Sequence, residues 1–401
     1  MKKLIALTFA MLFLGTGIAS ATDFSMSGSF YARGTYVDNW DGTGANEKDY
    51  GLYDGELSVD TTWQIDDTSK VFARFEMRDE TWGASTNPTE GTAWASGTLD
   101  DNLVVEMAYG QHTFGNGTTL RLGLMGAGSW ATAFGDTGVE KYRVWTMTPT
   151  SIGTIFFTLD KSLTSSEAGN AVTGEDSDMD AYNLLMITKF GDVNVKPGIA
   201  FVDIGAADTE AIVLLLGLDG TVGDIGWEAE AIYKNYDTGP SALDYDIYGL
   251  YGNVWAQFDA LKFGALVAYG SYDEDSDKGF GFGDDFTAGG ALLLGDDIFT
   301  NGSNLDLNAV TLLAAYISYA ASEQLTLGAY VGVANSNVDL AGDDFDGAEL
   351  WELSVSGSYK ITDNVTYSVA AGVAQLDYGT SYTGTEPDKA VEVYHKFAFS
   401  F

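Results

Sequence analysis

The five arginines of the chain are its most informative candidates for binding chemistry. All of them lie within the first 143 residues: Arg33, Arg74, Arg78, Arg121 and Arg143. Each occupies a polar position where polar and apolar residues alternate, and Lys141 shares the face of Arg143. On strands about 4.8 Å apart these side chains would form one cationic wall that attracts anions. Carboxylates such as Asp54 and Asp60 interleave with them, so the alternative is that the arginines only neutralise local acids.

Catalytic chemistry has few candidate residues. The chain contains two histidines, His112 and His395, and no cysteine. His395 shares a face with Phe397 and Phe399, and His112 lies beside a Gly-Asn-Gly turn, so neither is placed to serve a substrate. No Gly-x-Ser-x-Gly or His-Glu-x-x-His motif occurs. The sequence therefore predicts no enzymatic activity and no cofactor.

Two acidic clusters raise the question of calcium binding. They lie at 176–180 and at 273–277. The spacing of the second cluster would require the glycine of an EF-hand loop at the position of Lys278. We therefore assign no metal site and expect solvated loop charges, with weak divalent bridging as the alternative.

Composition limits the class of protein. The 401-residue chain has 49 glycines, 22 tyrosines, 22 phenylalanines and only 5 prolines, and its mean hydropathy is −0.01. Its formal net charge of −39 is opposite in sign to what nucleic-acid binding requires, so we expect no nucleic-acid partner. Near-neutral hydropathy with many aromatic residues and glycines is typical of a barrel whose strands are apolar on one face only.

The first residues indicate export. Met1-Lys2-Lys3 precedes an apolar run over 4–14, and small residues follow up to Ala19-Ser20-Ala21. A cationic start, a short apolar middle and an A-x-A site together predict a signal peptide over 1–21. The run is too short and too interrupted by glycine to span a membrane. The remaining domain, 22–401, would be the exported protein.

Period-two alternation recurs from end to end of this domain. Its stretches of about ten residues are long enough to cross a membrane as tilted strands. Short turns alternate with long polar connections at 38–49, 79–101, 162–180, 273–306, 337–347 and 378–388. The sequence therefore predicts an all-β, transmembrane antiparallel β-barrel of 16–18 strands, with short periplasmic turns and long extracellular loops.

We place 18 strand starts near residues 23, 50, 70, 102, 119, 139, 152, 181, 193, 211, 225, 244, 261, 307, 324, 348, 365 and 389. The count falls to 16 if the region 129–152 is one inward-folded loop. The segment Ala309–Ala321 has a second interpretation as a short buried helix.

The last strand carries the strongest local pattern. One face holds Val391, Val393, Phe397, Phe399 and Phe401, and the sequence ends on that phenylalanine. This pattern resembles the C-terminal signal of bacterial outer-membrane proteins, which the barrel-assembly machinery reads.

The opening of the domain extends the resemblance. Asp23-Phe24-Ser25-Met26-Ser27-Gly28-Ser29-Phe30-Tyr31-Ala32-Arg33-Gly34 looks like the first strand of the general trimeric porins of Gram-negative bacteria, and is closest to those of sulfate-reducing bacteria. The similarity covers the whole domain as a pattern, with short motifs only at its ends. Ala133-Phe134-Gly135-Asp136 is the nearest match to the family's constriction-loop motif, and a poor one. The resemblance implies a homotrimer in contact with outer-membrane lipid and lipopolysaccharide, with a basic wall facing carboxylates such as Asp136.

We therefore expect a cell-outer-membrane porin that forms a water-filled channel for passive diffusion of small hydrophilic solutes and ions. One alternative is a substrate-selective channel of the sugar type, for which Tyr31, Phe72 and Trp145 are candidate lumen aromatics. The other is a structural or adhesive surface barrel whose lumen is plugged, for example by Gly279-Phe280-Gly281-Phe282-Gly283.

Overall fold

The computed structural model describes residues 23–39, 50–77, 103–135, 140–162, 179–204, 209–239, 243–283, 286–288, 308–339, 346–379, 382–384 and 388–401. The predicted signal peptide, Arg78 and Asp136 lie outside these residues. The described chain holds no helix long and apolar enough to cross a membrane.

Twenty strands make up almost all of the regular structure of this part of the chain. They are β1 (Asp23–Asp38), β2 (Tyr50–Asp66), β3 (Ser69–Met77), β4 (Leu103–Thr113), β5 (Thr119–Gly126), β6 (Glu140–Thr150), β7 (Gly153–Ser162), β8 (Met179–Phe190), β9 (Val193–Ile204), β10 (Thr209–Val222), β11 (Ile225–Asp237), β12 (Tyr245–Phe258), β13 (Leu261–Gly270), β14 (Tyr272–Asp273), β15 (Lys278–Gly279), β16 (Val310–Ala320), β17 (Leu325–Ser336), β18 (Glu349–Thr362), β19 (Val365–Asp377) and β20 (Ala390–Ser400).

Eighteen of these strands form one antiparallel sheet that closes on itself. Each barrel strand pairs with its two neighbours along the chain, and β1 pairs with both β2 and β20. β14 and β15 form a separate short hairpin between β13 and β16. Every barrel strand of the described chain thus has a partner strand on both sides, which a membrane interior requires.

The strand count predicted from the sequence is confirmed at 18. Every observed barrel strand begins within three residues of its predicted start. The doubtful region 129–152 contains a complete strand, β6, so the alternative count of 16 is wrong. Val310–Ala320 is strand β16, so the alternative of a buried helix is also wrong. Leu313 and Ile317 of that strand point outward with Tyr319, as alternation requires.

Large apolar side chains cover the outer face of the barrel. Leu122, Leu184, Leu250 and Val331 are each about half exposed in the isolated chain, and all belong to the outward set of their strands. Paired residues on neighbouring strands face the same side of the sheet, because every pairing is antiparallel and its register shifts only at three bulges. An outer band of this kind is satisfied by lipid tails and not by water.

The two rims of the barrel differ in the length of their connections. Turns of two to five residues join β2 to β3, β4 to β5, β6 to β7, β8 to β9, β10 to β11, β12 to β13, β16 to β17 and β18 to β19. The first residue of β1 and the last residue of β20 lie at this short-turn rim. Most connections at the opposite rim are longer, which is the predicted asymmetry.

An arginine placed on the outer face should cost far more stability than one placed on the inner face. Leu122→Arg puts a charge on the lipid side and should cost roughly 2–4 kcal/mol of unfolding free energy if the site is near the bilayer midplane. Ser58 points inward, and its hydroxyl donates a hydrogen bond of 2.8 Å to Glu56. Ser58→Arg should therefore cost little unfolding free energy. Urea unfolding in lipid vesicles measures both, and equal losses would contradict the facing of the strands.

Candidate pore lumen

A segment between β5 and β6 folds into the barrel. β5 has only eight residues and ends at Gly126, partway up the wall. Residues 127–135, here called the inward segment, then run inside the barrel to β9 and β11. Trp130 Nε1 donates to the carbonyl oxygen of Lys196 on β9 at 2.9 Å. Thr132 donates to Glu230 Oε2 on β11 from its backbone N at 3.0 Å and from its hydroxyl at 2.5 Å.

An aromatic cluster fixes the end of this segment. Phe134 is fully buried, and its ring centroid lies 5.0–5.6 Å from those of Tyr251, Phe280, Phe282 and Phe286. These five rings are called the aromatic plug below. Three of them come from the connection between β13 and β16, and the backbone N of Gly283 donates to the carbonyl oxygen of Phe134. Two long connections therefore meet inside the barrel.

The plug rests against the inner wall at β11–β13. Phe280 lies over Gly249 of β12, where the Cβ of any other residue would overlap the ring. Lys234 of β11 places its ammonium 4.8 Å from the same ring centroid. Buried apolar residues such as Leu266 and Leu312 extend this core along neighbouring strands. The Gly-Phe-Gly-Phe-Gly stretch thus packs within its own barrel and covers one side of the lumen.

The described basic residues predicted to line the pore all lie on the inner face, in β1, β3, β5 and β6. Arg33 Nε donates to Asp54 Oδ2 at 3.0 Å, and Arg74 Nε lies 2.6 Å from Asp60 Oδ1. Both arginine side chains keep about a third of their surface exposed. Arg74 also lies 3.6 Å from Glu106, which a bulge in β4 adds to the inner face. These two arginines share the wall with the acids that the sequence showed interleaved with them.

Arg143 has a different position. Its guanidinium forms a bidentate pair with Asp160, at 2.5 and 2.7 Å, and is only one-tenth exposed. Its third nitrogen donates to the carbonyl oxygens of Gly126 and Ala127, at 3.3 and 3.1 Å. Arg143 therefore holds the point where the inward segment leaves β5. Lys141 faces inward on the same strand, in register with Met125.

Arg121 has no carboxylate partner among the described residues. Its Nε donates to Gln111 Oε1 at 2.7 Å. Its guanidinium carbon lies 5.3 Å from the ring centroid of Tyr109 and 4.6 Å from that of Trp145. Cation–π contacts of this kind orient a guanidinium while leaving its outer nitrogens able to donate.

These contacts belong to a longer row of aromatic residues on the inner face. Phe72 packs against Tyr109 at 5.1 Å, Trp145 against Phe156 at 5.7 Å, and Phe156 against Trp130 at 5.4 Å. Phe72 and Trp145 were candidates from the sequence, whereas the other three were missed. The inward alternation of Tyr109 and Phe156 signals their facing, but nothing in the sequence places Trp130 beside them.

The residues of the predicted assembly signal lie on the strand that closes the barrel. Val391, Val393, Phe397 and Phe399 point outward from β20. Phe401 extends the pairing, because its backbone N and O exchange hydrogen bonds of 3.0 and 2.9 Å with Gly28 of β1. Its ring covers Gly28, where a Cβ would come within 2.6 Å of ring Cζ.

Neither histidine faces the lumen. His112 shares a hydrogen bond of 2.9 Å with Ser69 at the short-turn rim, and His395 points outward beside Tyr53. In the loop cluster, Asp273 Oδ1 accepts from the backbone N and hydroxyl of Ser276, which lowers the pKa of that carboxyl. The described residues contain no group of three or more acidic or histidine side chains arranged to hold a metal ion.

Comparison with known proteins defines the class of fold. No protein-family model and no curated protein sequence matches the chain. Among solved structures, a BenF-like porin from Pseudomonas fluorescens Pf-5 is similar with a TM-score of 0.61 and 11% identity, over 95% of this chain and 100% of that one. Pseudomonas aeruginosa OccK2 (OpdF) in complex with glucuronate gives 0.58 and 11%, over 94% and 98%. Pseudomonas aeruginosa OpdK with vanillate gives 0.57 and 11%, over 94% and 99%. The chain therefore has the fold of the 18-stranded outer-membrane porin barrels.

Loosening the inward segment should change the pore and leave the barrel intact. Thr132→Val removes the hydroxyl that donates to Glu230 and accepts from the backbone N of Phe134. A hydrogen bond to a charged group contributes about 1.5–3 kcal/mol, so the anchored position should become less populated. Single-channel recordings should show more frequent switching between current levels. Thr146→Val, on the outer face of β6, is the control, and identical recordings would contradict this anchoring.

The terminal contact should be needed for assembly. Phe401→Asp places a charge on the outer face next to Gly28 and should abolish the heat-modifiable band in outer-membrane fractions, because the closing strand no longer offers an apolar face. Ser400→Asp puts the same charge one residue earlier, on the opposite face, and should assemble normally. Normal amounts of the Phe401→Asp barrel would show that this phenylalanine is not part of an assembly signal.

Proposed function

We propose that the protein is an outer-membrane porin of a Gram-negative bacterium, exported by a cleaved signal peptide over 1–21. Its function is passive diffusion of small hydrophilic solutes and ions through a water-filled channel. The observation that carries this proposal is the uneven filling of the barrel. The aromatic plug covers the inner wall at β11–β13, whereas the wall at β1–β3 carries partly exposed charged pairs.

This uneven filling argues against the structural or adhesive alternative. A barrel that serves only as a scaffold has no reason to keep hydrated ion pairs on its inner wall, since an apolar core would be at least as stable. The positions of His112 and His395 argue against catalysis. The structural neighbours carry names of porins, which are channels and not enzymes.

From the resemblance to general porins we also propose the partners of the protein. They are a homotrimer of barrels, outer-membrane lipid and lipopolysaccharide around the outer face, and the barrel-assembly machinery at β20. The kinship to porins of sulfate-reducing bacteria is a proposal of the same kind.

Single-channel recording in a planar bilayer tests the channel directly. The purified protein should insert and give ohmic current steps without energy input. Intact, heat-modifiable barrels that insert into the bilayer but carry no current would overturn the proposal in favour of a closed structural barrel.

Ion selectivity should depend on the pairing of Arg74. Removing this charge by Arg74→Gln leaves Asp60 and Glu106 unpaired on the inner wall. Charges at the rims act over a Debye length of about 30 Å at 0.01 M salt but only about 3 Å at 1 M. Charges on the inner wall lie next to a permeating ion at both salt concentrations. Arg74→Gln should therefore raise cation preference even at 1 M.

Lys360→Gln is the matched control for this measurement. It removes the same charge and also unpairs a carboxylate, that of Asp363, but at a short turn where Asp363 is 92% exposed. Its effect on the reversal potential across a salt gradient should vanish at 1 M. If both variants behave alike at 1 M, the Arg74 pair does not border the path of the ions.

A further inference from the structure

The aromatic residues on the inner wall form one continuous row across five strands. Phe72, Tyr109, Trp145, Phe156 and Trp130, here called the aromatic row, connect β3, β4, β6 and β7 to the inward segment, and Arg121 of β5 fills the gap between Tyr109 and Trp145. All six side chains are partly exposed. Its wall residues all lie within five positions of the short-turn ends of their strands, so the row runs around the lumen near that rim.

A row of rings is not required to stabilise this part of the barrel. The strands are already held by their hydrogen-bond ladders, and the inner wall of a hydrated lumen gains little from exposed apolar rings. Partly wet aromatic faces provide binding surface for solutes that have apolar patches of their own. The row therefore indicates a solute that stacks as it passes.

Polar groups along the row limit the chemistry of that solute. Arg121 keeps outer nitrogens for donation, and the amide of Gln111 and the phenol of Tyr109 lie beside it. Donors and acceptors beside ring faces suit a molecule that carries hydroxyl groups around an apolar C–H surface. Saccharides have this combination.

A second feature lies on another part of the inner wall. A cavity of about 410 Å³ is bounded by β16–β20 and by Thr287, next to the plug residue Phe286. Four serines line it, Ser318, Ser354, Ser356 and Ser358, together with three tyrosines, and none of its lining residues is charged. The hydroxyls of Ser354 and Tyr330 are buried there without a hydrogen-bond partner among the described residues.

The net charge of the protein favours neutral over acidic saccharides. The chain carries a formal charge of −39, which repels anions at long range. Arg33, Arg74 and Arg143 are each paired with a carboxylate, so among the described arginines only Arg121 offsets this repulsion locally. The polar side-chain groups that line the cavity are all hydroxyls. The negative field of the protein does not oppose the entry of a neutral solute, whereas it repels the carboxylate of a sugar acid.

We propose that the lumen binds neutral saccharides, which stack on the aromatic row and exchange hydrogen bonds with the hydroxyl-lined cavity. This inference rests on the proposed channel function and adds a solute class to it. The channel would then be weakly selective, with transient binding that ions do not require.

Current block in a planar bilayer tests this proposal. A linear neutral glucose trisaccharide should interrupt the ion current in a concentration-dependent way. Polyethylene glycol of matched size, which has no apolar ring face and few hydroxyls, should not do so at the same concentrations. Glucuronate should block more weakly than glucose at low salt.

Matched variants separate stacking from simple obstruction. Phe156→Leu keeps an apolar side chain but removes the ring, and should raise the half-blocking trisaccharide concentration by roughly three- to tenfold. Phe157→Leu makes the same change one residue later, on the outer face of β7, and should leave block unchanged. Phe156→Tyr should retain block because it keeps a ring. Ser356→Leu tests the cavity, with Val331→Leu on the outer face of β17 as its control.

The outcomes distinguish the two proposals. Absence of any conductance would reject the channel itself. Normal conductance without trisaccharide block, equal block by polyethylene glycol, or unchanged block in both Phe156→Leu and Ser356→Leu would reject saccharide binding and leave the porin in place. Stronger block by glucuronate than by glucose would reject the neutral class.

Discussion

The hydrogen-bond closure between β1 and β20 is the constraint on which the rest of the molecule depends. In a membrane, an unpaired backbone N–H or C=O costs several kcal/mol, so the sheet must end on itself. The Gly28–Phe401 exchange at the short-turn rim carries this pairing to the last residue. Closure also fixes which residues face inward, because a slip by one position would turn every side chain of a strand to the other face.

Closing 18 strands leaves an interior too wide for wall side chains to fill. The protein fills it unequally, by bringing two long connections together at Phe134. Glu230 and Arg143 anchor the segment at its two ends, one through Thr132 and the other through the carbonyls at Gly126 and Ala127. The plug packs on the side where Leu266 and Leu312 face inward, and the partly hydrated pairs of Arg33 and Arg74 lie on the other side. The hydrogen bonds to Glu230 and Arg143 and the packing of the aromatic plug together determine the shape of the lumen.

The sequence predicted the barrel well because alternation is a local property. Strand starts and facing depend on neighbouring residues, so even Arg33 and Arg74 were assigned to the correct face. Their partners depend on register, and the contact of Arg74 with Glu106 depends on a bulge that no local pattern announces. Phe134 and Phe280 are 146 positions apart in the chain, and only the inward fold of both connections brings their rings together. Because such contacts depend on the three-dimensional fold, the sequence indicated only Phe72 and Trp145 of the aromatic row.

The described arginines of the inner wall lie in three different environments. A guanidinium buried against a carboxylate and two carbonyls, as in Arg143, has its donors satisfied and fixes the backbone in place. One that is flanked by two rings and bonded through a single nitrogen, as in Arg121, has outer nitrogens without a carboxylate partner among the described residues. Arg33 and Arg74 lie between these cases, since each is paired but partly hydrated. A cationic wall inferred from residue type alone would treat all of them as equal, whereas their partners make Arg143 an anchor, Arg33 and Arg74 members of partly hydrated ion pairs, and Arg121 a cation held by rings.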